Sequence, residues 1–106
     1  MTRVLVENSG TRCALSAKGH ATGSETVCAA VSGILYALAG YLVNAAEERY
    51  VEIYEYRVES GDVKLDFCGD ERAEAAFEMA MIGLRQLDQG WPGLVRVETR
   101  DLSRKS

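Results

Sequence analysis

Alternating apolar and polar positions along the chain predict five short strands. Turn residues at 8–10 and 60–61 join consecutive strands, so the chain is expected to form two hairpins. The predicted strands cover residues 3–7, 12–18, 50–59, 62–68 and 94–99. Residues 101–106 are expected to form a frayed terminal tail.

Two longer stretches have helical patterns, at residues 26–46 and 71–89. Ser24 and Asp70 are the predicted N-caps, because short polar side chains accept hydrogen bonds from the free N–H groups of a first turn. The second helix has one apolar stripe, and its charged residues, Asp88 among them, are expected to face water.

The predicted elements follow the order ββαββαβ, with a helix after each hairpin. This order predicts an α/β (α+β) fold, a two-layer sandwich with a mostly antiparallel sheet and two helices. A chain of 106 residues is large enough for one hydrophobic core, so residues 1–106 are interpreted as a single domain.

The first helix is apolar almost all round, which is typical of a helix covered on several sides. One sheet covers one side only, and small residues such as Gly33 and Gly40 permit the close approach of another helix. A homodimer through the first helix is therefore predicted. The uncharged stretch 26–46 is also long enough to span a membrane. Its polar residues and the strands close to both of its ends favour a buried helix of a soluble protein instead.

The bulk composition is that of an ordinary soluble protein, with 47% hydrophobic and 26% charged residues. A net charge of −4 argues against direct nucleic-acid binding and mildly favours a basic partner. The three cysteines form no close pairs, and the N-terminus does not resemble a signal peptide. A reducing cytoplasm with free thiols is therefore expected, and no motif requires a cofactor.

The candidate chemistry lies in residues 19–32, where the single histidine precedes the first helix. Cys28 falls in the first turn of that helix, where the positive end of the helix dipole favours the thiolate, the nucleophilic form. His20 follows a strand on a flexible loop that leads back to the cysteine. The pair is interpreted as a nucleophile and its general base, poised for an acyl substrate. A small buried thiol and an exposed imidazole without a role are the alternative interpretations.

Residues next to this pair offer further support for acyl chemistry. Backbone N–H groups from Val27 to Ala29 are candidate donors to an oxyanion. Glu25 is a candidate to orient the histidine, although the helix dipole alone explains a carboxylate in a first turn equally well.

Two other kinds of site are disfavoured because each lacks a characteristic residue. The loop from Gly19 through Gly23 to Ser24 resembles an anion cradle before a helix, but it lacks the lysine of a phosphate-binding loop. A zinc site lacks the usual C-x2-C pair, so no metal is predicted. Its four ligands would be Cys13, Cys28, Cys68 and His20. The cysteines other than Cys28 are instead interpreted as structural.

One run of the sequence is more specific than its separate parts. It consists of Gly19-His20-Ala21 and, after one residue, Gly23-Ser24-Glu25-Thr26-Val27-Cys28-Ala29-Ala30-Val31-Ser32. This run resembles the signature of the ribosomal-processing cysteine protease family, Prp. That signature is Gly-His-Ala, a variable loop, and then Gly-x-Asp-Ile-Val-Cys-Ala-(Ala/Gly)-x-Ser. The chain length and the order of elements fit the family over essentially the whole chain.

The resemblance implies a dimeric cytoplasmic protease with a Cys28/His20 dyad. The substrate it implies is the precursor of the twenty-seventh protein of the large ribosomal subunit. The family removes an N-terminal extension from this protein, after an aromatic residue, during ribosome assembly.

The chain departs from the family signature in two places. Only Thr22 separates Gly-His-Ala from Gly23, where typical members have several more residues, and Glu25 replaces the aspartate. A second hypothesis follows from these departures. It is a diverged, non-catalytic dimeric module of the same fold that binds a ribosomal or other basic protein.

Overall fold

The structure, a computed structural model, describes residues 1–101 and confirms the predicted order of elements. The elements are β1 (Thr2–Ser9), β2 (Arg12–Lys18), α1 (Glu25–Glu47), β3 (Val51–Glu59), β4 (Asp62–Gly69), α2 (Glu71–Gly90) and β5 (Val95–Asp101). Every boundary lies within two residues of its prediction. The expected tail at 101–106 is wrong at its first residue, because Asp101 closes β5, and 102–106 lie outside the described residues.

The five strands form one sheet in the order β3-β4-β2-β1-β5. Three of its four strand pairs are antiparallel, and β1 pairs with β5 in parallel, so the prediction of a mostly antiparallel sheet is confirmed. These pairings make β2 parallel to β3 and β4 parallel to β5. Parallel strands need a crossover connection, and α1 and α2 provide the two crossovers.

Both helices cover the same face of the sheet. The two crossovers start from antiparallel strands and move in opposite directions across the sheet, so the right-handed rule places both helices on one side. The side chains that alternate towards that face form the core. The largest fully buried ones are Phe67, Leu15, Leu42, Leu65, Leu84, Val4, Val6, Val27 and Val95.

The two N-caps are those that the sequence predicts. Ser24 Oγ accepts a hydrogen bond of 3.2 Å from the N–H of Val27, and Asp70 accepts one of 3.0 Å from the N–H of Arg72. Because Ser24 fixes the first turn of α1, it also fixes the position of the residues that follow it.

The helix α1 buries one side against the sheet and α2. Its buried residues are Val27, Val31, Leu35, Leu38, Ala39, Leu42 and Ala45. The opposite side is exposed, including the small residues Gly33 and Gly40. By length and composition α1 is the one helix in residues 1–101 that meets the criteria for a membrane span. Burial against the sheet and α2 accounts for the apolar residues on its inner side only.

The predicted orientation of Asp88 is wrong. Its carboxylate does not face water but accepts a hydrogen bond of 2.8 Å from the backbone N–H of Val97. This bond joins the last turn of α2 to β5, a contact between elements that helical periodicity alone does not reveal.

Candidate active site

The loop between β2 and α1 is held against the opposite hairpin by its first residue. Gly19 has φ +92°, and its N–H donates a hydrogen bond of 2.9 Å to the carbonyl oxygen of Gly61. Its own carbonyl lies 3.4 Å from the hydroxyl of Thr2, a buried residue. A side chain at this position would collide with the backbone carbonyl of Met1. Glycine is therefore required where the loop leaves β2.

The imidazole of His20 lies directly on the β3–β4 turn. A Cβ atom placed on Gly61 would overlap the ring, with its carbon atoms at 2.9 and 3.1 Å. Gly61 also has φ +72°, which side chains rarely adopt. The loop then turns back, because the N–H of Thr22 donates to the carbonyl of His20 at 2.9 Å. The histidine is exposed to solvent on its outer side.

Cys28 is half-buried on the first turn of α1 and lines the same small cavity as His20. Its backbone N–H donates to the carbonyl of Ser24 at 3.1 Å, which closes the first helical turn. The structure therefore brings together the two residues that the sequence selects as nucleophile and base.

The same face of α1 continues along the wall of this cavity. Ser32 and Tyr36 follow Cys28 at intervals of four residues, which places all three side chains in one row. Tyr36 is 51% exposed, so an aromatic ring stands at the mouth of the cavity. Residues 59–63 of the β3–β4 hairpin form the opposite wall.

The predicted supporting residues do not take the positions expected of them. The N–H of Val27 donates to the N-cap, and that of Ala29 lies inside the helical hydrogen-bond pattern, so neither is a free donor to an oxyanion. Glu25 is exposed and makes no hydrogen bond to His20. Capping explains the difference, because Ser24 has already satisfied the amide of Val27. The amides of Glu25 and Thr26 precede the first intrahelical bond and are the ones without a helical acceptor.

The other two cysteines lie near the far end of β2, away from the histidine. Cys13 is buried among core residues, and burial raises the pKa of its thiol to about 11. Cys68 lies on β4 with its Sγ 3.1 Å from the hydroxyl of Thr11. The four cysteine and histidine side chains are therefore not gathered at one point. Residues 1–101 contain no group of three or more potential metal ligands.

Sequence reasoning missed the contribution of the β3–β4 hairpin to the site. Ser60-Gly61 was identified only as a tight turn, and nothing in the local pattern shows that a histidine from another loop packs on it. The position of Tyr36 was also missed. Its spacing of eight residues from Cys28 was the available signal, because two helical turns return to the same face.

Comparisons with known proteins give a matching family model and similar folds. The family model of the cysteine protease Prp matches residues 1–96. Among solved structures, the chain is similar to the essential ribosomal processing protease Prp from S. aureus, in complex with a covalently linked product peptide. The TM-score is 0.76 at 16% identity, over 94% of this chain and 100% of that chain.

Two more structures show the same fold. The S. aureus Prp protease in complex with a substrate peptide gives a TM-score of 0.70 at 15% identity, over 94% of this chain and 100% of that one. SMU.848 from Streptococcus mutans gives 0.74 at 22% identity, over 95% and 98%. No curated protein sequence matches the chain.

Proposed function

The chain belongs to the cysteine protease Prp family, and from this membership we propose that it is an endopeptidase with Cys28 as nucleophile and His20 as general base. The observation that carries the proposal is the shared cavity of the two side chains. The histidine comes from the loop after β2 and the cysteine from the first turn of α1, so two separate elements converge there.

The acylation step follows from the chemistry of these two groups. The sulfur of Cys28 attacks the carbonyl carbon of the scissile peptide bond, and the thiol proton passes to His20. The positive N-terminal end of α1 stabilises the negative charge on the carbonyl oxygen. The imidazolium then gives its proton to the leaving amine as the C–N bond breaks, which leaves a thioester on Cys28.

Deacylation returns the enzyme to its starting state. A water molecule attacks the thioester carbonyl, and His20 accepts its proton. The C–S bond breaks, the thiolate regains the proton from the imidazolium, and the N-terminal part of the substrate leaves as a carboxylate. The exposed outer side of His20 gives water access to the ring in this step.

The proposed substrate is a precursor of the twenty-seventh protein of the large ribosomal subunit, from which an N-terminal extension is removed. The similar S. aureus protein is a ribosomal processing protease. Ribosomal proteins are mostly basic, and a net charge of −4 on this chain favours a basic substrate. Tyr36 offers an exposed aromatic surface to a substrate side chain at the cavity mouth.

We further propose a cytoplasmic homodimer that forms through α1. The exposed side of this helix adjoins an apolar groove between α1 and α2 that Ile34, Ala37, Tyr41 and Met79 help to line. Met79 is 74% exposed, and a second copy of the chain would bury it.

The proposal is tested with a peptide that spans the extension and its cleavage site. We expect reduced wild-type protein to cut the peptide once, and Cys28→Ala and His20→Ala to leave it intact by mass spectrometry. The matched control is Cys68→Ala, which removes a thiol outside the cavity and is expected to retain cutting. An intact peptide with folded, dimeric wild-type protein would instead support the non-catalytic binding module.

A further inference from the structure

The sheet face opposite the helices is open to solvent. Side chains on a strand alternate between the two faces, so the residues between the buried positions of β1 and β2 point outward. This open face takes no part in the active site, since the cavity of Cys28 lies on the side of α1.

Three cations stand side by side on this face. Arg3 on β1 is the direct register partner of Lys18 on β2 and of Arg96 on β5. Neighbouring strands lie about 4.8 Å apart, and like charges directly opposite each other destabilise a sheet. The arrangement therefore has a cost to folding. We call Arg3, Lys18 and Arg96 the cationic row.

Local carboxylates neutralise only part of this charge. Arg96 pairs with Glu98 at 3.1 Å. Arg3 and Lys18 form no ion pair with other residues of the described chain. Asp62, the register partner of Lys18 on β4, is bonded instead to the guanidinium of Arg57 at 3.2 Å. Two of the three cations are thus free to meet an external anion.

The cationic row borders a shallow groove along β1, β2 and β5. Its charged lining consists of the row, Arg100 and a single carboxylate, Glu98. Arg100 is paired with Glu7 at 3.7 Å. The whole chain has a net charge of −4, so the lining of this groove is more positive than the molecule as a whole. The net charge of a chain does not show how its charges are distributed over the surface. This is why composition alone argues against nucleic-acid binding here.

We propose that the cationic row is a binding surface for the phosphate backbone of RNA. Three of the four cations in the groove are arginines, whose planar fork matches phosphate oxygens in a bidentate geometry. Phosphate groups repeat along an RNA strand, and the cations of the row repeat across three neighbouring β-strands. One stretch of RNA can therefore contact more than one of these cations. The surface recognises the charge of the phosphates and not the base sequence, because contacts to phosphates orient a protein on the nucleic acid without specifying a sequence.

The row also lies next to the active site along the chain. Lys18 ends β2 and is followed by Gly19 and His20. RNA binding itself does not require cleavage, so the proposal stands or fails separately from the protease activity.

The test is fluorescence anisotropy with a labelled single-stranded RNA of mixed sequence. If the two free cations neutralise two phosphates, affinity falls roughly sevenfold between about 50 and 200 mM salt, since the slope for single strands is about −0.7 per phosphate. Lys18→Glu and Arg3→Glu are expected to weaken binding at least about tenfold and to flatten the salt slope. Lys18 is exposed at a strand end, so its variant remains informative if Arg3→Glu does not fold.

The charge-matched control is Arg49→Glu, in the exposed turn between α1 and β3. It changes the net charge equally and is expected to keep the RNA affinity of the wild type. Equal losses from Arg49→Glu and Lys18→Glu would overturn the proposal, as would the absence of binding at low salt. Tighter binding to an acidic peptide or to anionic vesicles than to RNA would overturn it too.

Discussion

The imidazole of His20 packs on the α-carbon of Gly61, at the turn between β3 and β4. The backbone strengthens this contact, because the N–H of Gly19 bonds to the carbonyl of the same Gly61. The candidate base is thus positioned by a hairpin that is distant in sequence. The absence of a side chain at residue 61 is what makes room for the ring.

Replacement of this glycine is expected to reduce activity through the histidine. In Gly61→Ala the new Cβ overlaps the ring of His20, which must shift from its position. The left-handed backbone costs about 1 kcal/mol in addition. We expect at least a tenfold loss of kcat/KM in a peptide cleavage assay.

Gly10 provides the matched control for Gly61. It occupies the β1–β2 turn at φ +62°, and a Cβ there meets no atom within 4 Å. Gly10→Ala should lower the free energy of unfolding by a similar amount but leave kcat/KM unchanged. Equal activity losses in both variants would show that the contact with His20 is not what matters.

Loss of the α1 cap is expected to affect both stability and activity. Ser24→Ala removes the acceptor for the amide of Val27, which costs about 1 kcal/mol in the free energy of unfolding. The first turn then frays and Cys28 loses its fixed position. Asp70→Ala removes the equivalent cap of α2 and serves as the control. We expect comparable destabilisation in urea titrations, with reduced cleavage only for Ser24→Ala.

Alkylation is expected to separate Cys28 from the buried Cys13. Burial raises the pKa of Cys13 to about 11, so its thiolate is scarce at neutral pH and iodoacetamide should hardly modify it. Cys28 is half-buried in an open cavity and should be modified first. Peptide mapping after brief treatment at neutral pH measures the order. Faster modification of Cys13 than of Cys28 would contradict the burial described for the core.

The ion pair between Arg12 and Asp66 predicts part of the pH dependence of stability. Its hydrogen bond of 2.8 Å lowers the pKa of Asp66 below its usual value. A lowered pKa gives stability that is full above the unfolded value near about 4 and is lost as the pH falls through the folded value. Because Arg12 is exposed, solvent screens the ion pair and its contribution to stability is small.

Asp66→Asn is the variant that checks this pH dependence. It should be less stable than the wild type at pH 7, with a difference that shrinks as the pH falls below about 4. Urea titrations at both pH values measure it. A difference that stays constant with pH would show that the charge of Asp66 is not involved.

Local patterns were sufficient to predict most of the fold. Alternation in β2 and β4 identified the inward residues, and Ser24 and Asp70 marked the helix starts, because periodicity and capping are properties of neighbouring residues. The strand order and the hydrogen bond from Val97 to Asp88 could not be predicted. Both depend on which elements meet across the sheet, and no short stretch of sequence records that.

In the candidate site, too, some features could be predicted from local sequence and others could not. That Cys28 and His20 line one cavity could be predicted, because one run of sequence contains both residues. The role of Gly61 could not, since it comes from a different hairpin. The prediction of Val27 and Ala29 as oxyanion donors assumes that the amides at a helix start are free. The N–H of Val27 instead donates to Ser24, and that of Ala29 takes part in the hydrogen bonds of the helix.

The central claim is that the thiol of Cys28 and the imidazole of His20 act together on a peptide carbonyl. Peptidyl chloromethyl ketones, built on the sequence before the proposed cleavage site, test it by intact-mass spectrometry and peptide mapping. We predict addition of one inhibitor at Cys28 in the wild type, and slowed addition by at least about tenfold in His20→Ala. Equal rates in the two proteins, or addition at Cys68 in place of Cys28, would contradict the account.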